Sequence, residues 1–319
     1  MTGEPLPPIE ALETPTVDVE ALKTVEPGAG GLVITGRRRR GILRSRSATI
    51  GAVIVAIFFV IGCIGLALLT IPGLDASWKD QNLGGALKGP MYDGHILGTD
   101  SLGRDLLARV TVGVGVSFFI AFVVTIASLV LGVTVGLIGG YFRGPVDTFF
   151  SAMTDVTWGF PVILLAVMFA GMLEPGFATI ILAVALLSWA GVARIIRGYA
   201  LSLREREFVG AAKAIGIPSW KILLVHLLPN VVAPILVLAS YYVAVTIVIE
   251  AGLSFLGLGV QSPVPSLGAM LSEGRNFIRL SPWQTILPGA VLAIAVLGFN
   301  LLGDGLRDLL DPRLSRPQG

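Results

Sequence analysis

Residues 203–229, LREREFVGAAKAIGIPSWKILLVHLLP, form a polar, helix-prone insert between two long apolar runs, and their reading decides how the chain is arranged. A Lys, Arg or Asp at the centre of a membrane span costs roughly 2.5 to 3.5 kcal/mol each, so an insert with this many charges belongs in water. Its residues are not those of a floppy loop. Positions 205–214 are rich in good helix formers, Gly216 suits a left-handed cap, and Pro218 forbids simple continuation. Ser219 is placed to cap a second helix starting at Trp220. The stretch therefore reads as a short helix, a sharp elbow and a return into the membrane. Small residues at Gly210, Ala211 and Ala212 let such a helix seat closely in another protein's groove.

The surrounding chain fits a membrane environment. Of 319 residues, 54% are hydrophobic and 14% charged, with a mean hydropathy of +0.83, well outside the soluble balance. A net charge of +2 argues against nucleic acid as a partner, and the basic residues gather at the borders of apolar runs. The single cysteine, Cys63, lies inside such a run and reads as a small core residue, with neither disulfide nor thiolate metal site in prospect.

Six spans are expected, at about 49–70, 112–138, 148–173, 177–193, 231–251 and 283–302, each near the length that crosses a core of roughly 30 Å. Residues 1–48 read as a flexible extension ending in a basic cluster, 37–40 with Arg44 and Arg46. Residues 49–304 read as the membrane domain and 305–319 as a tail. The arginine cluster predicts an N-terminus in the cytoplasm, and Arg194 and Arg197 at the end of the fourth span agree with it. Six crossings then put the C-terminus on the same side. Residues 252–282 read as an elaboration on the far side, with no seventh crossing. Gly132, Gly136 and Gly140 repeat at every fourth position, a stripe for close helix approach within the chain or across a subunit seam.

The far-side stretch 95–109, HILGTDSLGRDLLAR, pairs Asp100 with Arg104 and Asp105 with Arg109 at helical spacing, as exposed pairs of small energetic value. His95 stands alone there, which disfavours a metal site. Asp155 and Glu250 are acids inside spans, and both read as lying near span ends, where water or another subunit satisfies them. They are the clues to an ion- or proton-driven transporter. An intramembrane hydrolase using Ser254 and His226 fails on topology, because the two lie at opposite borders while nucleophile and base must meet within about 3 Å.

The insert resembles the signature loop of importer-type ABC permeases, Glu-Ala-Ala, three residues, Gly, nine residues, then a hydrophobic residue and Leu-Pro. Here it stands as Gly210-Ala211-Ala212, Gly216 and Leu228-Pro229, with Gly210 in place of the glutamate. HILGTDSLGRD, LSLREREFVGAAKAIG, HLLPN, SFLGLGVQSP and FNLLGDGLRDLLDPR together resemble the C-type permease subunit of dipeptide, oligopeptide and nickel importers over about residues 44–313. The resemblance implies an all-α, type I importer fold of about six spans in a bacterial plasma (inner) membrane, with a coupling helix between the fourth and fifth. It implies an ATPase contact along Glu205, Glu207, Phe208, Gly210, Ala211, Ala212, Lys213, Gly216, Ile217 and Pro218. Within it, Phe208 would be the apolar anchor, and Glu207 would supply the charge missing at Gly210. It marks Gly98, Thr99, Asp100, Gly103, Arg104 and Asp105 as an extracytoplasmic family motif. Implied partners are a homologous B-type permease subunit, two ATPase subunits, an extracytoplasmic binding protein and membrane lipid.

No GxxxxGK[ST] loop occurs, and none of the five lysines has the glycine that such a loop needs before it. The chain is thus read as a non-catalytic subunit that binds no cofactor itself, and the resemblance implies ATP and Mg on partner ATPase subunits. Peptides are the expected cargo, nickel or another small solute the alternative.

Overall fold

Residues 46–310, apart from Pro72, Gly73 and Asp75, are described in a computed structural model of the chain. Five helices are long and apolar enough to cross a membrane: α1 (Arg46–Thr70), α2 (Leu106–Phe142), α5 (Phe177–Arg204), α8 (Leu228–Phe255) and α10 (Trp283–Leu310). A bent pair, α3 (Pro145–Trp158) and α4 (Val162–Met172), supplies a sixth. Short helices complete the fold: α6 (Glu207–Ala214), α7 (Ser219–Lys221) and α9 (Leu267–Gly274). The described residues contain no named strand.

Between apolar helices in lipid there is little hydrophobic driving force, so close packing of small residues must hold them together. The glycine stripe does this within the chain. A methyl group on Gly132 would lie 2.5 Å from Val192 Cβ, on Gly136 2.6 Å from the Ala193 carbonyl oxygen, and on Gly140 2.6 Å from Ala200 Cβ. The helix backbones of α2 and α5 therefore touch along three turns. A second seam, between α1 and α10, is closed by Gly51 against Leu302 and by Gly305 against Ala48. Aromatic packing fills the volume between them, with Phe118 stacked 5.9 Å from Phe58 and 5.6 Å from Phe299 between ring centres.

Three expectations are corrected here. The third span is not one helix: α3 and α4 meet at 85° around Gly159 and Pro161. Proline has no N–H to donate and disfavours helical geometry in the residue before it, so the break falls where the chemistry puts it. Helix α5 does not stop at Ala193 but continues to Arg204, which places Arg194 and Arg197 within the helix. Cys63 is exposed, because α1 buries the face carrying Gly51, Phe58, Gly62 and Gly65. The expected basic cluster, Arg46 excepted, and the last residues of the expected tail lie outside the described residues.

At the end of the bundle opposite α6, residues 76–105 and α9 make a cap. The family motif is its framework. Gly98 and Gly103 have φ of +83° and +74°, and side chains there would strike the Lys88 and Asn82 carbonyls. Thr99 Oγ1 donates to Gly85 O at 2.5 Å and accepts from Lys88 N at 3.0 Å. The ion pairs differ from helical expectation because this stretch is a tight loop. Asp100 does take Arg104 Nε, at 2.6 Å, but it also takes Arg109 Nη1, at 2.5 Å, and all three side chains are buried. Asp105 instead caps α2 through Ala108 N, at 2.7 Å, and holds His95 Nδ1 at 2.6 Å. His95 is therefore not alone. Glu273 of α9 reaches both arginines, at 3.3 and 3.0 Å. Burial raises its carboxyl pKa above the usual range, against the pull of Arg104.

Candidate functional site

Glu205 caps the end of α5, and Arg206, extended at ψ 144°, leads into α6. The eight-residue helix carries Glu207 in its first turn and Lys213 in its last, both favourable to its dipole. It ends in a Schellman turn: Gly216 takes φ +79°, Ile217 N donates to Ala212 O at 3.0 Å, and Gly216 N donates to Lys213 O at 3.0 Å. Pro218 then sets the direction of α7, and Ser219 is its first residue, not its cap. Residues Ile222–Leu227 form a π-helical stretch, and Leu228 N bonds back five residues to Leu223 O. Pro229, the next residue, has no N–H for an ordinary turn, so the wider turn carries the chain into α8.

One face of this elbow is anchored. Val209 and Ala212 are buried with Leu137, Tyr141, Ile196, Ile222 and Leu227. Ala212 thus packs against its own chain, and the expected close-approach surface reduces to Gly210, Ala211 and Gly216, all exposed. The other face shows large apolar groups to the surroundings: Phe208, Ile215 and Trp220 are 41, 77 and 63% exposed. Glu207 and Pro218 are exposed beside them, while Ile217 is half-buried.

Tyr141, at the end of α2, is the fastening point, and the sequence reading missed it. Lys213 Nζ lies 5.0 Å from the centre of its ring, Ser219 Oγ is 3.4 Å from its hydroxyl, and Arg204 Nη1 donates to its carbonyl at 2.5 Å. One residue beyond α2, Arg143 pairs with Glu205 at 2.7 Å. The signal that would have found it is an aromatic at a predicted membrane border, where such rings are enriched.

On the same half of the bundle, α3 is braced to α5. Arg197 Nε and Nη2 grip the two Asp147 oxygens at 2.5 and 2.8 Å. One turn away, Arg194 Nη2 reaches Asp155 Oδ1 at 2.7 Å and its guanidinium lies 4.7 Å from the Trp158 ring. Asp155 is thus placed beside the Gly159–Pro161 break.

Glu250 is fully buried, contrary to the expectation of water or another subunit. Ser117 Oγ and Ser254 Oγ donate to its two oxygens at 2.8 and 2.7 Å, and Ser117 Oγ also accepts from Leu267 N at 3.3 Å. The carboxyl ties α8 to α2 and α9. Ser254 is spent in that tie, about 40 Å along the helix path from His226 at 1.5 Å per residue. No group of three His, Cys, Asp or Glu side chains is arranged for a metal among the described residues.

Long apolar helices, broken once and joined by a braced polar elbow, define an all-α, multi-pass membrane protein. Residues 132–316 match the family of binding-protein-dependent transport system inner membrane components. The chain is 39% identical over 271 residues to the dipeptide transport system permease protein DppC of Alkalihalophilus pseudofirmus, covering 85% of this chain and 87% of that one. It is 33% identical over 313 residues to the oligopeptide transport system permease protein OppC of Haemophilus influenzae, covering 98 and 99%. An inward-facing structure of the MetNI methionine ABC transporter aligns with a TM-score of 0.54 at 18% identity, over 64% of this chain and 97% of the other, a likeness of fold. The chain belongs to the binding-protein-dependent permease family, with the type I ABC importer fold. The family does not favour an ion-driven transporter.

Proposed function

We propose that this chain is one of two permease subunits in an ATP-driven importer of di- or oligopeptides, forming half of the pathway with a homologous B-type subunit. The observation that carries the reading is the elbow. It is a short helix rigidly capped at Gly216 and fastened to α2 at Tyr141, presenting Phe208, Ile215 and Trp220 outward. Isolated surface helices do not display such a group of apolar side chains without a partner, and an ATPase groove is the partner that the signature loop implies.

In this reading the elbow, both termini and residues 1–48 and 305–319 lie in the cytoplasm, and the cap faces an extracytoplasmic binding protein. Two ATPase subunits hold ATP and Mg and close on them, and the chain itself is non-catalytic. Closure has a rigid handle to move, since α6 cannot yield without breaking its cap and its clamp, and rigid-body rotation follows. The names of the relatives support peptides as cargo. The family motif from Gly98 to Asp105 acts as the scaffold of the face on which the binding protein docks.

Cross-linking tests the assembly. Cysteines at Ile215 or Phe208, in a Cys63→Ser background, should join to the ATPase subunit in membranes and release or shift the link on ATP binding. An elbow that remains open to water-soluble thiol reagents throughout the ATP cycle would defeat the proposal.

A further inference from the structure

Two arginines one turn apart on α5 meet two aspartates on α3, and the two pairs are built differently. Arg197 is held in a two-pronged grip: its Nε and Nη2 take both oxygens of Asp147, and Ser151 Oγ lies 3.4 Å from the same carboxylate. That pair is a brace. Arg194 and Asp155 share a single hydrogen bond, and their side chains are 46 and 70% exposed. Both border a cavity of about 280 Å³, which Gly136 of α2, Ser151 and Thr154 of α3 and Arg197 also line. That volume is near the lower end of ligand pockets, roughly 300 Å³.

The stretch of chain that carries Asp155 is rich in exposed apolar side chains, Phe149, Met153, Val156, Trp158 and Phe160. Arg194 lies 10 residues, or about 15 Å, before the end of α5 at Arg204, and Asp155 lies 10 residues, again about 15 Å, from the start of α3 at Pro145. Charged side chains on membrane spans do not face lipid but a bundle interior or a water-filled path, and these two border the cavity.

We propose that Asp155 and Arg194 form a station on the translocation wall that exchanges its internal ion pair for the two charged ends of a zwitterionic peptide. The assignment rests on the peptide-import reading given above. Guanidinium nitrogens that Asp155 does not use are free to take the terminal carboxylate in a two-pronged grip, while the Asp155 oxygens take the terminal ammonium. The Trp158 ring, its centre 4.7 Å from the guanidinium carbon, holds the cation by its electron-rich face. Without cargo the two side chains neutralise each other, so no lone charge is left in the wall. An exposed ion pair contributes little net free energy, so cargo displaces it easily and is released easily, as a conducting site requires. Side chains of the peptide stay in the open cavity, and the station reads termini without reading sequence.

The test uses the complete transporter in proteoliposomes with its binding protein and ATP, and labelled trialanine as probe. Arg194→Gln should lower the initial uptake rate about tenfold, with the second permease subunit and ATPases co-purifying in unchanged amount. With trialanine amide, scored at equal occupancy of the binding protein, the same substitution should change uptake less than twofold, because the group that Arg194 grips is gone. An equal loss for both probes, unchanged uptake of trialanine, or loss of the second permease subunit would each overturn the station; the last would make the pair a subunit contact. Absence of ATP-dependent trialanine uptake by the unsubstituted complex would overturn the peptide reading itself, and the station with it.

Discussion

Lys213 and Tyr141 are 72 positions apart and meet as cation and ring, the ammonium 5.0 Å from the ring centre. The contact joins the last turn of α6 to the end of α2. Tyr141 is also 6% exposed and packed among Leu137, Ile196 and Val209, so it is both core residue and clamp.

The two roles separate by substitution. Tyr141→Phe keeps the ring and loses only the long contact to Ser219, and it should cost less than about 1 kcal/mol. Tyr141→Ala leaves a cavity and should cost about 3 to 5 kcal/mol. Thermal unfolding of the purified complex reads both. Lys213→Ala, with the core intact, should leave the unfolding temperature nearly unchanged and lower the peptide moved per ATP.

The stripe between α2 and α5 predicts a sharp contrast among glycines. Gly136→Leu must push apart backbones that already meet, and folded protein should be lost from membranes. Gly210→Ala meets nothing within 4 Å and replaces a poor helix former, so it should stabilise by about 0.5 to 1 kcal/mol. Yield after detergent extraction with monodisperse elution distinguishes the two. Gly210→Glu should strengthen coupling if Glu207 does not already supply the charge, and Glu207→Ala measures that directly.

In the cap, Asp100 answers both Arg104 and Arg109. Asp100→Ala leaves two buried guanidinium groups with Glu273 alone and should destabilise by about 3 to 5 kcal/mol. Limited proteolysis in residues 76–105 should accelerate accordingly. Asp105→Ala removes the α2 cap and the His95 partner, a smaller loss of about 1 to 2 kcal/mol.

Glu250→Gln keeps one oxygen to accept from one of Ser117 and Ser254 and offers an amide N–H to the other hydroxyl, and it should support uptake within twofold of the unsubstituted protein. Glu250→Ala opens a hole at the meeting of α2, α8 and α9 and should reduce folded protein. Uptake by the unsubstituted protein should persist when the proton gradient is collapsed and vanish when ATP hydrolysis is blocked.

Much of this was legible in the sequence. Uninterrupted apolar runs located the long helices, and Gly216 followed by Pro218 located the elbow with its left-handed cap. Other features depended on geometry that a linear pattern does not carry. The ends of α5 and α10 run past their apolar runs because helical hydrogen bonding continues after hydropathy falls. Pro161 was visible, but an apolar run on both sides hid the bend. The spacing of Asp105 and Arg109 suggested partners; Gly98 and Gly103, by tightening the loop, turned Asp105 into a cap and gave Arg109 to Asp100. Ala212 read as an outward small residue, yet it faces inward because α6 shows the opposite side to its surroundings. Tyr141 and Glu250 acquired their roles from contacts distant in the chain.

The seam of Gly132, Gly136 and Gly140 makes a lever arm of α5. Locked to α2 backbone against backbone, its 28 residues extend about 42 Å from the elbow with no soft joint between. A tilt of about 10° at one end sweeps the other by about 7 Å over that length. In the proposed importer, a small displacement of the elbow thus becomes a throw wide enough to open or close a passage at the far end of the helix.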